Sequence, residues 1–244
     1  MIELVGVSKD YDGMPAVQDL TMTVPAGSVL GFLGPNGAGK TTTIKLLMGM
    51  LFPSAGSVRV DGIDPVAEPI KVRERVGYLP DVPFLYEYLS PHEMLGMVGA
   101  LHRLDGELAR RRAAALFEEF SLTDKATELI LSLSKGTRKK VALALALLHE
   151  PPVLLLDEPT SGLDPQTVKV LKDRVRREQA RGTTVVLSTH VLDVAQEVST
   201  HLAIVHQGRL VFHDTLETAI GRATGEGRSL EGLFLQLTGT ARHG

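Results

Sequence analysis

The sequence predicts an α/β fold built on a largely parallel sheet, and three observations carry that prediction. Short apolar strands alternate with helical segments on either side of a mostly helical middle. A glycine-rich turn joins one apolar strand directly to a helix, and a second apolar strand ends in two consecutive carboxylates. Strands that read as continuous apolar runs rather than as alternating ones are buried on both faces, the usual condition of a parallel sheet covered by helices.

Taken in order, residues 2–7 and 20–24 read as short strands, and Val29-Leu30-Gly31-Phe32-Leu33 as a buried strand running into the glycine-rich turn. Residues 41–50 carry Ile44, Leu47 and Met48 at helical spacing. Residues 56–61 alternate, with Val58 and Val60 on one side. The middle, residues 83–150, is predicted to be a helical insertion with helices over 92–103, 106–120 and 136–149, separated by Ser, Pro and Gly. A strand over 153–156, a helix over 165–181, a strand over 184–187, a helix from Val191 and strands over 202–205 and 210–212 complete a core of residues 1–82 and 151–240. The whole of 1–244 is expected to be one domain, with a short helix over 229–239 at its tail.

Composition narrows the function classes. The 244 residues carry 26 Lys and Arg against 29 Asp and Glu, and this net charge of −3 argues against a nucleic-acid partner. No cysteine is present, which excludes disulfides and thiolate metal sites. The first residues, Met1-Ile2-Glu3-Leu4-Val5, predict no secretory signal. The longest apolar runs, 141–148 and 153–156, fall far short of the roughly 20 residues that span a bilayer.

Gly34-Pro35-Asn36-Gly37-Ala38-Gly39-Lys40-Thr41 satisfies G-x-x-x-x-G-K-[ST] between a strand and a helix. Glycines let successive backbone N–H groups curl around phosphate oxygens, and the helix aims its positive end at the same anion. Lys40 would place a cation by the β- and γ-phosphates, the Thr41 hydroxyl suits a Mg²⁺ ion, and Thr42 offers a further phosphate contact. The run Val153-Leu154-Leu155-Leu156-Asp157-Glu158 adds an acid suited to Mg²⁺ at Asp157 and, one residue on, a carboxylate able to polarise an attacking water at Glu158.

Further motifs narrow the class. Leu133-Ser134-Lys135-Gly136-Thr137 resembles the signature motif of ABC ATPases, usually Leu-Ser-Gly-Gly-Gln, and Ser161-Gly162-Leu163-Asp164 resembles their D-loop. His190 stands where the family has its switch histidine, and Tyr11 where it stacks an aromatic ring on adenine. The resemblance covers essentially the whole chain. It implies a phosphate-loop NTPase core of the RecA-like kind, with a mostly parallel sheet, a small N-terminal antiparallel β-subdomain and the inserted helical subdomain. It further implies a head-to-tail dimer around two ATP, in which Ser134, Lys135 and Gly136 of one subunit meet the γ-phosphate held by the other. His190 would hold that phosphate, and Asp164 would couple the two sites. The implied partners are a second ATPase subunit and a transmembrane permease, with the chain peripheral on the cytoplasmic face of the membrane.

Two positions depart from the usual pattern. The signature has Lys135 and Thr137 for Gly and Gln, and Gly77-Tyr78-Leu79-Pro80-Asp81 ends in an acid where the family usually has a Mg²⁺-contacting glutamine. Asp81 is accordingly taken as a candidate metal ligand, although an ionised carboxylate cannot donate the hydrogen bond a glutamine would. Both departures resemble the ATPases of ABC-2-type exporters, which makes export the leading expectation. An importer and a soluble ABC ATPase outside transport are the alternatives. The segment 83–91, rich in aromatic and apolar residues, either docks on the permease or packs within the helical insertion.

Overall fold

Asp12 and Gly13 both take left-handed backbone angles, φ 52° and 83°, as a two-residue hairpin turn of the I′ kind requires. They fold β1 (Ile2–Tyr11) back onto β2 (Met14–Val24), with Tyr11 opposite Met14. Both strands are longer than the pattern 2–7 and 20–24 predicts, because register shifts along the pair interrupt the alternation of buried and exposed residues. β4 (Ala55–Val60) joins the other edge of β1, giving an antiparallel sheet in the order β2-β1-β4. The computed structural model describes residues 1–222 and 230–239.

The second sheet has six strands in the order β5-β6-β7-β3-β8-β9. β3 (Val29–Leu33), β5 (Val76–Leu79), β6 (Val153–Asp157), β7 (Thr184–Thr189) and β8 (His201–His206) run parallel, and β9 (Arg209–Thr215) closes the edge antiparallel to β8. The fold is therefore α/β with a mostly parallel sheet and a small antiparallel one, as expected. Successive residues of a strand face opposite sides, so β6 divides its apolar residues between two cores. Val153 and Leu155 pack with α1 (Lys40–Leu47) and the antiparallel sheet, whereas Leu154 and Leu156 pack with the helices between β5 and β6 and with those after β6.

Those intervening helices are α3 (Pro91–Leu101), α4 (Gly106–Glu119) and α5 (Lys135–Leu147), close to the expected spans. α3 starts at a capping box: the Ser90 hydroxyl accepts the Glu93 N–H while the Glu93 carboxylate accepts the Ser90 N–H. α6 (Pro165–Ala180) and α7 (Leu192–Val198) flank β7, and α8 (Leu216–Arg222) and α9 (Leu230–Thr238) pack as a small third core against β8 and β9. Ser229, the first residue of the expected tail helix, and residue 240, the expected end of the core, lie outside the described residues. The pattern misses α2 (Pro69–Arg75) and β5, both too short to show a period.

Candidate functional site

Strand register sets the site. Leu33 at the end of β3 is level with Thr189 of β7, and Asp157 at the end of β6 is level with Ser188. The chain leaving each strand therefore emerges on one edge of the sheet, the carboxyl edge where open α/β sheets bind ligands. Gly34 follows Leu33, Glu158 follows Asp157 and His190 follows Thr189, so three segments distant in sequence meet there.

The turn over residues 34–39 leads into α1 through Gly39, whose φ of 102° excludes ordinary side chains. A Cβ at Gly39 would also lie 2.5 Å from the Ala16 carbonyl, so β2 passes directly over the turn. The Gln18 N–H donates to the Gly208 carbonyl at 2.7 Å, and the Gly208 N–H donates to Ala38 at 3.1 Å, joining the turn to both sheets. α1 has no acidic residue in its first turn and no side-chain cap, which leaves its positive end facing the cleft. The Lys40 side chain is buried and folds back over the turn, with Nζ donating to the Gly34 carbonyl at 2.7 Å and to Pro35 at 3.2 Å. Ala16, residues 36–42, Asp81 and Glu158 line the cleft, Thr41 exposing its side chain there.

Asp157 is 1% exposed. Its Oδ1 accepts the Ser188 hydroxyl at 2.7 Å, while the buried Oδ2 has no hydrogen-bond partner. Burial pushes the neighbouring Tyr78 hydroxyl up to about 12, and the charge of Asp157 adds to the shift. Glu158 takes a left-handed φ of 45°, a strained conformation for a residue with a side chain. Its Oε2 lies 2.9 Å from His190 Nδ1, and its Oε1 faces Lys40 Nζ at 3.4 Å as an ion pair without hydrogen-bond geometry. Lys40, Glu158 and His190 thus form one cluster, with Asp157 next to Glu158 at the strand end.

The signature-like segment lies elsewhere. Ser134 caps α5, its hydroxyl accepting the Thr137 N–H at 3.2 Å, and Lys135 opens the helix. A Cβ at Gly136 would stand 2.9 Å from the Gly162 carbonyl, so the glycine lets the D-loop-like turn approach α5. Asp164 in that turn caps α6 through the Thr167 side chain and N–H, contacts that hold its carboxyl down at about 2. Ser134, Lys135 and Gly136 are not among the residues lining the cleft with Lys40. Tyr11 is also outside that lining: it ends β1, half exposed, with Lys9 Nζ 5.5 Å from its ring centre.

Sequence reasoning misses Ala16 and Ser188, which enter through pairing and register. It also misses Lys139, a buried cation on α5. The available signal is its place four residues before Leu143 and three before Ala142, on the helix face that is otherwise apolar and buried. Burial pushes the Lys139 ammonium down, with Asp81 opposing the shift.

A strand, glycine-rich turn and helix beside an acid-ended strand define a phosphate-loop nucleoside triphosphatase. The ABC transporter family model matches residues 17–161. Among curated relatives, the daunorubicin/doxorubicin resistance ATP-binding protein DrrA of Streptomyces peucetius is 40% identical over 90% of this chain and 68% of its own length. The ABC transporter ATP-binding protein NatA of Bacillus subtilis is 33% identical over 89% of this chain and 91% of its own. A Nod factor export ATP-binding protein I of Cupriavidus pinatubonensis is 36% identical over 91% and 69%. A solved ATP-binding subunit of an ABC transporter superposes with a TM-score of 0.92 at 32% identity, covering 97% of this chain and 99% of that one. A dimeric ATP-binding cassette in a post-hydrolysis state, bound to ADP and Pi, superposes with a TM-score of 0.80 at 26% identity over 88% and 99%. The chain belongs to the ABC transporter family, as an ATP-binding and ATP-hydrolysing subunit. Among the described residues, no helix is long and apolar enough to cross a membrane.

Proposed function

We propose that two copies of this chain close head to tail around two ATP molecules and drive export through a separate transmembrane permease, on the cytoplasmic face of the membrane. The observation that carries the reading is the split of the motifs. Lys40 and Glu158 line one cleft, with His190 bonded to Glu158 and Asp157 preceding it on β6, while Ser134, Lys135 and Gly136 lie outside that lining, at the start of α5. A helix start is itself an anion site, so the second surface suits the γ-phosphate held by a facing copy. The export-named relatives support the direction of transport.

In this reading residues 34–39 wrap the phosphates with backbone N–H groups, and Lys40 exchanges its contacts with the Gly34 and Pro35 carbonyls for phosphate oxygens. Glu158 orients the attacking water and accepts its proton at a carboxylate oxygen, and His190 holds that carboxylate through Nδ1. Tyr11 supplies the aromatic surface for adenine from the hairpin above the turn. The residues fit Mg²⁺, because a buried carboxylate oxygen without a partner, Asp157 Oδ2, stands at the strand end beside the cleft where Thr41 exposes its hydroxyl. Thr41 and Asp157 would hold the ion, with Asp81 at the rim, and the ion would neutralise charge on the β- and γ-phosphates.

The segment after Asp81 supports a docking role. Leu85 is buried, but Phe84 is 91% and Tyr88 80% exposed, and exposed aromatics are enriched at the cores of protein interfaces. Steady-state turnover of the purified chain beside Glu158→Gln, with size exclusion in Mg-ATP, tests the reading. The expected result is Mg²⁺-dependent hydrolysis that falls at least about tenfold in the variant, roughly 1.4 kcal/mol of barrier, and an ATP-stabilised dimer of the variant. Full turnover in the variant would remove Glu158 from the chemistry.

A further inference from the structure

We propose that Lys139 is a positioning residue that ties α5 to the backbone of the catalytic Glu158 of the same subunit, with Asp81 as its counter-ion. The inference rests on the reading of Glu158 as the group that activates water. A lysine is almost never fully buried unless it is paired, and the Lys139 side chain is 2% exposed. Its Nζ donates to the Glu158 carbonyl oxygen at 2.6 Å and lies 3.5 Å from Asp81 Oδ1.

The bond falls on the residue whose backbone most needs holding. Glu158 sits at a left-handed φ, and both of its peptide groups are tied to other segments. Its N–H donates to the Ser188 carbonyl of β7 at 2.9 Å, and its C=O accepts Lys139 from α5 and the Ser161 N–H at 3.2 Å. Strain of this kind persists only where the surroundings over-determine it. Lys139 is therefore one of the fixings that aim the Glu158 side chain between Lys40 and His190.

The same ammonium connects three places. Lys139 lies one turn beyond Lys135 on α5, Glu158 follows β6, and Asp81 stands between β5 and the exposed aromatic segment. The acid at position 81, a candidate metal ligand by sequence, gains a further role as the carboxylate facing this buried cation. A displacement of α5 or of the turn at Asp81 reaches Glu158 through one side chain.

Lys139→Met removes the charge and the donor while keeping an unbranched chain, and Lys139→Gln keeps an amide donor. In the purified full chain, Lys139→Met is expected to lower kcat at least about tenfold with KM for ATP within about threefold, and Lys139→Gln to recover part of that loss. Adding Asp81→Asn to Lys139→Met is expected to cost less than Asp81→Asn alone, since coupled neighbours are not additive. A second measurement needs no turnover. Hydrogen exchange of the Ser161 amide, which shares the Glu158 carbonyl, is expected to quicken in Lys139→Met with no matching change in the β1–β2 hairpin. Unchanged exchange at Ser161, or exchange that quickens everywhere, would overturn the proposal, as would a KM that rises in step with the fall in kcat. If Lys139→Met fails to fold, Lys139→Gln and Asp81→Asn are measured the same way. Full turnover in Glu158→Gln beside these variants would sink the reading beneath the proposal, whereas an inactive Glu158→Gln with a fully active Lys139→Met sinks the proposal alone.

Discussion

Arg174 on α6 stands between two carboxylates, and its removal should be among the most damaging single changes away from the nucleotide cleft. Its Nε donates to Glu178 at 2.7 Å, and its Nη1 donates at 2.7 Å to Glu119, the last residue of α4. Glu178 is 2% exposed, so Arg174→Met takes the nearest cation away from a buried charge. Stranding one partner of a buried pair costs about 3–5 kcal/mol. Glu178 keeps the Thr183 hydroxyl at 3.1 Å and the Arg181 guanidinium at 3.7 Å, and Glu119 keeps Arg177, which places the expected loss at the lower bound, about 3 kcal/mol. For a chain of this size about 1 kcal/mol lowers the thermal midpoint by roughly 2–4 °C, so a fall of about 6–12 °C is expected by calorimetry. Arg174→Met with Glu178→Leu should recover most of it, because apolar residues that replace a whole buried pair are close to neutral. A fall below about 2 °C in the single variant, or none of it recovered in the double, would refute the reasoning. The bridge also joins α4 to α6, so the single variant should loosen the helical segment from the sheet before the sheet itself melts.

Two further outcomes follow from the same contacts. The His149 ring stacks on His102 at 3.7 Å, and burial pushes its pKa from 6.5 down to about 4, with His102 adding to the shift. The unfolded chain then binds the proton more readily than the native one, so stability is full above about pH 6.5 and declines as the pH falls towards 4, by at most about 3 kcal/mol. Urea midpoints across that range should fall less steeply in His149→Leu than in the parent, and parallel slopes would contradict the assignment. At Gly136, alanine would press its methyl against the Gly162 carbonyl 2.9 Å away. Crowding of this kind costs about 1–3 kcal/mol, visible as a lower urea midpoint, and an unchanged midpoint would mean that the two turns separate freely.

What could be read from the sequence was local. The phosphate turn and the acid-ended strand declare themselves because each places its chemistry within a few consecutive residues beside an apolar run. β2 was half hidden: Asp19 takes a left-handed φ of 49° in mid-strand and breaks the alternation that would have marked residues 14–24 as one element. The hairpin signal was nevertheless present in Asp12-Gly13. Asp164 illustrates a residue with two readings, since the acid assigned by resemblance to coupling between sites is also the N-cap of α6. Lys139 was beyond reach for a different reason. Its partners lie 58 residues before it and 19 after it (139 − 81 and 158 − 139), a pairing that only the folded topology creates.

The stitch from Gln18 to Gly208 to Ala38 has a consequence for how the protein spends its conformational freedom. The turn that would wrap the phosphates is clamped between a strand of one sheet and a hairpin of the other, so its curved shape is imposed when the two sheets come together. The loss of chain entropy needed to form an anion cradle falls at folding, and a preorganised site does not meet that cost again on binding. Cohesion between the sheets and readiness of the cradle are then a single property: whatever loosens the seam at Gly208 also blurs the cradle.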